Sequence, residues 1–287
     1  LPDIYGADHK EAVKNGIRVV KMDPIPILAT MAMSTTHLGL AATLSTTYYE
    51  PFHIARTMMT LDHMTGGRAG WNVVTSLNDS EAFNMGAKST IQHDRRYDRA
   101  DEMMHSVINM WNSWEPDAIK FDKHSGIFAD PDKVHPIEHN GEWFQTKGSF
   151  TVPPSPQGHP VIVQAGQSGR GRTFACEWGE VIFTIQNDME QAKKVRSEMR
   201  DEAQMQGRDP DTIAIAPAFY VTVGETQSIA EDKYAYIDSL AKPIDGLTLL
   251  SEVLNFDFAT KKIDEPFSDE ELAGINGLRG ILDKVVR

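Results

Sequence analysis

Short apolar runs alternate with segments of helical periodicity along most of this chain, a pattern that predicts strand–helix units feeding a parallel sheet. Leu38 to Leu44 reads as a buried strand giving way to the polar Ser45-Thr46-Thr47. Ala69 to Val74 reads as a second strand, ending in Thr75-Ser76, and Val161 to Ala165 as a third, followed by a glycine-rich turn. Val181 to Thr184 and Ile213 to Val223 bring the predicted core strands to about five. Asp23-Pro24 opens a helix to about Thr35, with Asp as N-cap and Pro at the first helical position. Phe52, Ala55, Met58, Met59 and Leu61 mark another over Pro51 to Met64, stopped by Gly66-Gly67. Tyr97, Ala100, Met104, Val107 and Trp111 share one face of a long helix from Asp94 to Trp111. Further helices are predicted up to Trp178, over Asp188 to Gln206, over Ser228 to Leu240 and over Ser268 to Val286. Met31, Met33, Met58, Met59 and Met64 are expected to fill core.

Glu115 to Pro160 breaks the rhythm. It is rich in Pro, Gly, His and charge, with a hairpin expected in Glu142 to Val152. It is too long for an ordinary connection and reads as an excursion on a barrel rim. No linker or repeat divides the chain, so residues 1–287 are expected to form a single α/β domain. Five strands are too few for an eight-stranded barrel, which leaves a barrel with strands missing or an open sheet. The chain opens on Leu1-Pro2 and closes on Val286-Arg287 without an evident start or stop, which favours a barrel truncated at both ends.

Of 287 residues, 28 are Lys or Arg and 41 are Asp or Glu, for a net charge of -13. That balance argues against a nucleic-acid or membrane-surface role, which needs clustered cations. No apolar run approaches the roughly 20 residues of a membrane span, and no signal peptide opens the chain. Cys176 is the one cysteine, so disulfides and Cys-rich zinc sites are excluded, which fits a reducing cytoplasm.

Barrel ligands bind at the C-terminal ends of the strands, and the polar clusters of this sequence fall there. Thr43 and Asn72 stand close to two of those ends. Taken singly, such residues are turn and capping chemistry. The run Gly166-Gln167-Ser168-Gly169-Arg170-Gly171-Arg172 is sharper. Glycines between a strand and a helix let backbone N–H groups approach an anion, while Ser168 offers a hydroxyl and the two arginines supply charge. A plain glycine-rich turn is the competing reading, and neither the P-loop nor the Rossmann spacing is present. His93 and Tyr97, four apart at the start of a helix, can point to one side and bind a phosphate or a flavin edge. On the spacing alone, a capping His beside a half-buried Tyr is the favoured reading. His135 and His139, with His124 nearby, lie in a stretch broken by Pro136 and Gly141, and no metal site is expected. Arg95, Arg96 and Lys147 are either contacts for a carboxylate or plain solvated charge.

The run Leu61-Asp62-His63-Met64-Thr65-Gly66-Gly67-Arg68-Ala69-Gly70-Trp71-Asn72-Val73-Val74-Thr75-Ser76 resembles the nitrilotriacetate and dibenzothiophene-sulfone monooxygenase family of bacterial-luciferase-like enzymes. So do Ala42 to Thr46 with Pro51, His93 to Glu102, and Pro160 to Gly169, in the same order. The resemblance implies a luciferase-like (β/α)8 barrel that uses FMN as FMNH2, supplied by a separate NAD(P)H:flavin reductase. It implies O2 and a small organic substrate as further partners, a C4a-peroxyflavin as oxidant, and a homo-oligomer. By position, Thr43 would contact the flavin, His93, Tyr97, Ser168 and Gly169 would hold it mainly through the phosphate arm, and Asn72 would lie beside the ring. An Asp that the family carries on its second strand would fall just before Leu1. No side chain is assigned as a catalytic acid or base. Two alternatives stay open, F420-dependent hydride transfer on the same barrel and a non-catalytic flavin-binding protein.

Overall fold

The computed structural model describes residues 10–167, 169–254, 256–258 and 265–275. They fall into two compact units, one of Asp23–Ser76 with Ile91–Pro217, the other of Leu1–Met22, Leu77–Thr90 and Ala218–Arg287.

The first unit is built on five parallel strands: β1 (Leu40–Ser45), β2 (Ala69–Val74), β7 (Val161–Gln164), β8 (Val181–Thr184) and β9 (Ala214–Pro217). They are hydrogen-bonded in the order β1-β2-β7-β8-β9. Each core strand thus pairs with the next one in the chain, as in a (β/α)8 barrel, with none of the order reversal of a doubly wound sheet. The helices are α1 (Pro24–Ser34), α2 (Pro51–Thr65), α3 (His93–Trp111), α4 (Gly169–Trp178) and α5 (Met189–Met205). Asp23 caps α1 by accepting from the Ile25 N–H, and Gly66 ends α2 in the left-handed region at φ 67°.

One face of the sheet is buried against helices. Ala42, Leu44, Trp71, Val73 and Ile162 pack with Ile54, Met58 and Met59 of α2 and with Ala100, Met103, Met104 and Val107 of α3. Trp71 meets Trp111 edge to face at 6.4 Å, and each indole N–H reaches a carbonyl, Trp71 to Leu44 and Trp111 to Ala55, at 3.1 Å. Full burial of these indoles is therefore compatible with their polar atoms. A smaller cluster joins Ile182 to Cys176 of α4 and to Met199 and Ala203 of α5.

The opposite face carries the row Thr43, Asn72, Val163, Val181 and Ala214, which are register partners across all five strands. Its members are half-buried or exposed.

Two polar hubs fix the C-terminal end of α2. Buried Asp62 accepts from the Ala69 N–H at 2.9 Å, from Gln157 at 2.6 Å and from the Ser155 hydroxyl. Arg68 donates to the Thr65, Thr35 and Leu38 carbonyls, tying the ends of α1 and α2 to the start of β1.

Between α3 and β7 lie two antiparallel pairs, β3 (Ile119–Asp122) with β4 (Ile127–Ala129) and β5 (Ile137–Asn140) with β6 (Gln145–Gly148). The expected hairpin is displaced. Asn140 pairs with Gln145, so the turn is Gly141 to Phe144 and the first strand lies wholly before the predicted range. The reason is Glu102 of α3, which accepts from the Trp143 and Phe144 N–H groups and fixes the turn against the helix. A Cβ on Gly141 would run into the Glu102 carboxylate, so a larger residue there would displace the group that holds the turn.

Other expectations also shift. β9 stops at Pro217 instead of Val223, since proline brings no N–H to extend the ladder. Met58 and Met59 are fully buried, whereas Met33 is 79% exposed and Met31 and Met64 are also exposed, so only part of the methionine set fills core.

The second unit holds short helices Lys10–Asn15 and Asp79–Asn84, longer ones at Gln227–Leu240 and Pro243–Leu254, and Asp269–Gly274. Leu254, Phe258 and Ile275 form its buried cluster, bordered by Phe256 and Phe267. Glu252 receives Arg18 at 3.0 Å and Lys21 at 2.9 Å. Ser268 caps Asp269–Gly274 at the start of the predicted tail helix, but the helix ends at Gly274 with Ile275 extended instead of running on toward Val286; residues beyond 275 lie outside the described residues. Among the described residues no helix is long and apolar enough to cross a membrane.

Candidate functional site

The C-terminal ends of β1 and β2 are joined by hydroxyl groups. Asn72 Nδ2 donates to Thr43 Oγ1 at 3.0 Å. Beyond them the Ser45 and Ser76 hydroxyls lie 2.7 Å apart, both buried, and the Thr47 N–H donates to Ser45 Oγ at 3.1 Å. Thr47 Oγ1 donates to the Thr75 carbonyl at 2.5 Å. Ser76 adopts φ 58°, a region that costs a non-glycine residue about 1 kcal/mol, and these bonds hold it there.

The first turn of α3 brings His93 and Tyr97 together, with ring centroids 5.2 Å apart. The expected side-by-side arrangement is therefore observed, although the helix cap is Gln92, whose side chain accepts from the Arg95 N–H. His93 Nδ1 contacts Asp94 Oδ1 at 2.8 Å. Tyr97 packs against Phe174 of α4 at 5.5 Å. Burial pushes its phenol above the usual tyrosine pKa, with Thr75, Arg96 and Arg170 pulling the other way, so Tyr97 is a neutral donor at physiological pH.

The glycine loop after β7 is tied back into the sheet. Gln164 Nε2 donates to the Val73 carbonyl at 3.0 Å, while Gln164 Oε1 accepts from the Gly166 N–H. Gln167 Oε1 accepts from the Ile185 N–H at 3.3 Å and from Gln186 at 2.9 Å, joining this loop to the one after β8. Gly169 begins α4 at φ 50°, and the first N–H groups of a helix lack intrahelical acceptors. A Cβ on Gly171 would lie 2.6 Å from Tyr97 Oη, and one on Gly166 would lie 2.1 Å from the Gly171 carbonyl. Loop and phenol meet at this distance because both positions are glycine. Ser168 lies outside the described residues.

The structure thus unites Thr43 with Asn72, His93 with Tyr97, and Tyr97 with the start of α4. It corrects the expectation for the two arginines of the loop. Arg170 is ion-paired with Asp101, and with Asp98 at 3.8 Å, and Arg172 with Glu198 at 3.0 Å, so their charge is spent on neighbouring helices. Arg95 pairs with Glu142 and Lys147 with Glu138, while Arg96 is buried. His135 pairs with Glu115 and His139 with Glu102, and no cluster able to hold a metal occurs among the described residues.

Sequence reasoning missed Arg99, which reaches the Thr46 carbonyl, and Glu102, which holds the Trp143–Phe144 turn. Arg99 and Glu102 lie on the same helix as His93, but nothing in helical spacing reveals what a charged residue reaches across to.

The sequence matches the model of the luciferase-like monooxygenase family over residues 4–276. It is 46% identical over 270 residues to dibenzothiophene-sulfone monooxygenase of Rhodococcus erythropolis, covering 94% of this chain and 60% of the relative. It is 38% identical over 288 residues to nitrilotriacetate monooxygenase component A of Aminobacter aminovorans, covering 98% and 64%. Among solved structures it is similar to a riboflavin lyase determined with modified FMN and riboflavin, with a TM-score of 0.85 at 33% identity, covering 99% of this chain and 66% of that one. The chain spans about 60% of the length of its dibenzothiophene-sulfone relative.

Proposed function

Because the chain belongs to the luciferase-like monooxygenase family, we propose that it binds reduced FMN at the ends of β1, β2 and β7 and serves insertion of one oxygen atom from O2 into a small heteroatom-containing organic molecule. The observation that carries this reading is the junction of Tyr97 with the glycine loop, where a phenol donor and a helix N-terminus meet across Gly171. Such a junction fits a phosphate. The row below it fits a flat ring, with a polar pair, Thr43 and Asn72, beside the apolar Val163, Val181 and Ala214.

In this reading Thr43 and Asn72 meet the flavin ring, and His93, Tyr97, Ser168 and the Gly169 N–H hold the phosphate arm. Bound reduced FMN supplies two electrons and activates O2, one atom passing to the substrate and the other leaving as water. The chain's own part is to bind, to orient and to keep water off. Val163, Val181 and Phe183 share one face of the sheet and offer that dry wall. Tyr97, held neutral by burial, donates a hydrogen bond without adding charge. The word "component A" in the nitrilotriacetate relative's name supports a separate reductase as the source of reduced flavin. The sulfone and aminopolycarboxylate names of the relatives support a heteroatom-bearing substrate.

The test is a reconstituted assay with NADH, FMN and a flavin reductase under 18O2, offering a sulfone and an aminopolycarboxylate. A product carrying one 18O atom supports the proposal. Oxidation of reduced flavin with no labelled product from either class contradicts it.

A further inference from the structure

The first turn of α4 reads Gly169-Arg170-Gly171-Arg172, with no apolar side chain, and Gly169 enters it at φ 50°. Two glycines in one turn make it a weak piece of helix on its own. From Phe174 onward the core holds the helix, since Phe174, Ala175 and Cys176 are fully buried. The turn itself is held by its arginines. Arg172 donates to the Gln167 carbonyl at 3.0 Å and pairs with Glu198 of α5. Arg170 donates from Nη2 to Asp101 of α3, with Asp98 farther off at 3.8 Å, and its guanidinium carbon stands 6.0 Å from the Tyr97 ring centroid. The other Asp101 oxygen accepts from the Trp178 indole N–H at 2.9 Å, so one carboxylate grips both the first turn and the last residue of α4. Asp101 lies four residues after Tyr97 and eight after His93, on one stripe of α3. His105 continues that stripe, its ring 4.8 Å from Trp178.

We propose that Asp101 is a positioning residue for the phosphate end of the flavin site, seating the first turn of α4 against Tyr97 through Arg170 and Trp178 without touching the ligand itself, a role that rests on the flavin reading above. A carboxylate suits the task because each oxygen can take a separate donor, and a planar guanidinium gives the bond direction. The N–H groups of the turn and the Tyr97 hydroxyl sit on two different helices, so only side chains that cross between them fix their spacing. That spacing is close, since a Cβ on Gly171 would lie 2.6 Å from Tyr97 Oη. A turn displaced by a fraction of an ångström no longer lets both donors meet one phosphate. The flavin ring, which in this reading lies along Thr43 and Asn72, does not sense the displacement.

The experiment measures the affinities of reduced FMN and of reduced riboflavin, which lacks the phosphate, by anaerobic titration of the wild type, Asp101→Ala, Asp101→Asn, Arg170→Met and the double variant Asp101→Ala with Arg170→Met. Asp101→Ala and Arg170→Met should each weaken reduced-FMN binding about tenfold and leave reduced-riboflavin binding unchanged. The double variant should bind reduced FMN about as weakly as Asp101→Ala alone, since both changes open the same clasp. Asp101→Asn keeps the shape and one acceptor oxygen and should fall between, so the test stands if Asp101→Ala does not fold. A merely structural role would lower Tm and weaken both ligands alike. Equal losses for the two ligands, or unchanged reduced-FMN affinity in folded Asp101 variants, overturn the proposal alone. A loss in Arg170→Met with none in the Asp101 variants would make the arginine a ligand contact and also overturn it. A wild-type protein that binds reduced FMN no better than reduced riboflavin overturns the phosphate seat, and one that takes up neither overturns the flavin reading, the proposal falling with each.

Discussion

Asn72 donates a hydrogen bond from Nδ2 to Thr43 Oγ1 at 3.0 Å, and the two residues are register partners on neighbouring parallel strands. The bond orients the amide along a row whose next members are Val163 and Val181. Asn72→Leu and Thr43→Val should each weaken reduced-FMN binding by about tenfold, the worth of one hydrogen bond at a half-buried site. A double-mutant cycle read by anaerobic titration should give a coupling of about 1 kcal/mol. Strictly additive losses would show that the pair does not act as a unit.

The contact between Gly171 and Tyr97 makes a prediction of its own. Gly171→Ala places a methyl 2.6 Å from Tyr97 Oη and 3.1 Å from Cζ, and the ring is held by Phe174. The expected cost is about 1–3 kcal/mol in urea unfolding. Combined with Tyr97→Phe, which removes the nearest atom, the cost of Gly171→Ala should fall clearly. An equal cost in both backgrounds would place the strain elsewhere.

Asp62 is buried and accepts from Ala69, Ser155 and Gln157, which lie up to 95 residues away in sequence. Asp62→Ala leaves all three donors without that acceptor and should destabilise the protein by about 3 kcal/mol in equilibrium denaturation. Asp62→Asn keeps one acceptor oxygen and should cost less.

Glu102 carries a pH dependence. Burial raises its pKa, but the bonds from His139 and from the Trp143 and Phe144 N–H groups outweigh that, and the carboxyl ends below its usual value. A depressed pKa stabilises the fold above the unfolded-state value and loses that contribution as pH falls through the folded-state value. The stability gap between the wild type and Glu102→Gln should therefore be widest near neutrality and close below about pH 4. A gap constant from pH 7 to pH 3 would mean that the carboxylate charge contributes nothing.

Cys176 is buried and its thiol is pushed up to about 11, chiefly by burial and then by Glu202, with Arg172 and Arg208 opposing. At that pKa only about 0.1% would be thiolate at pH 8, and burial shields the sulfur besides. The native protein should not react with a disulfide reagent in minutes, and the denatured chain should release one equivalent. Fast native reaction would contradict the burial of α4 against α5.

Much of the larger unit was legible in the sequence because local and global signals agree there. Ala69–Val74 and Val181–Thr184 have the predicted limits, and the Asp23 and Gly66 caps sit where Pro24 and the Gly-Gly pair point. The polar residues at the strand ends were legible as positions but not as partners, since Thr43 meets Asn72 through strand pairing that periodicity does not encode. The hairpin slipped because Gln145-Thr146-Lys147-Gly148 has no apolar alternation and its turn is fixed by Glu102, 39 or more residues earlier. The arginines of the glycine loop were misread for a similar reason. Their acidic partners, Asp101 and Glu198, lie on other helices, and a sequence shows charge without showing what neutralises it.

The most direct test is a titration in which reduced FMN and reduced F420 are each added anaerobically to the protein while flavin absorbance and protein fluorescence are followed. Saturable binding of reduced FMN, lost or weakened in Tyr97→Phe, is the predicted result. Saturation by reduced F420 with no binding of reduced FMN would contradict the central claim and move the protein to hydride transfer on the same barrel.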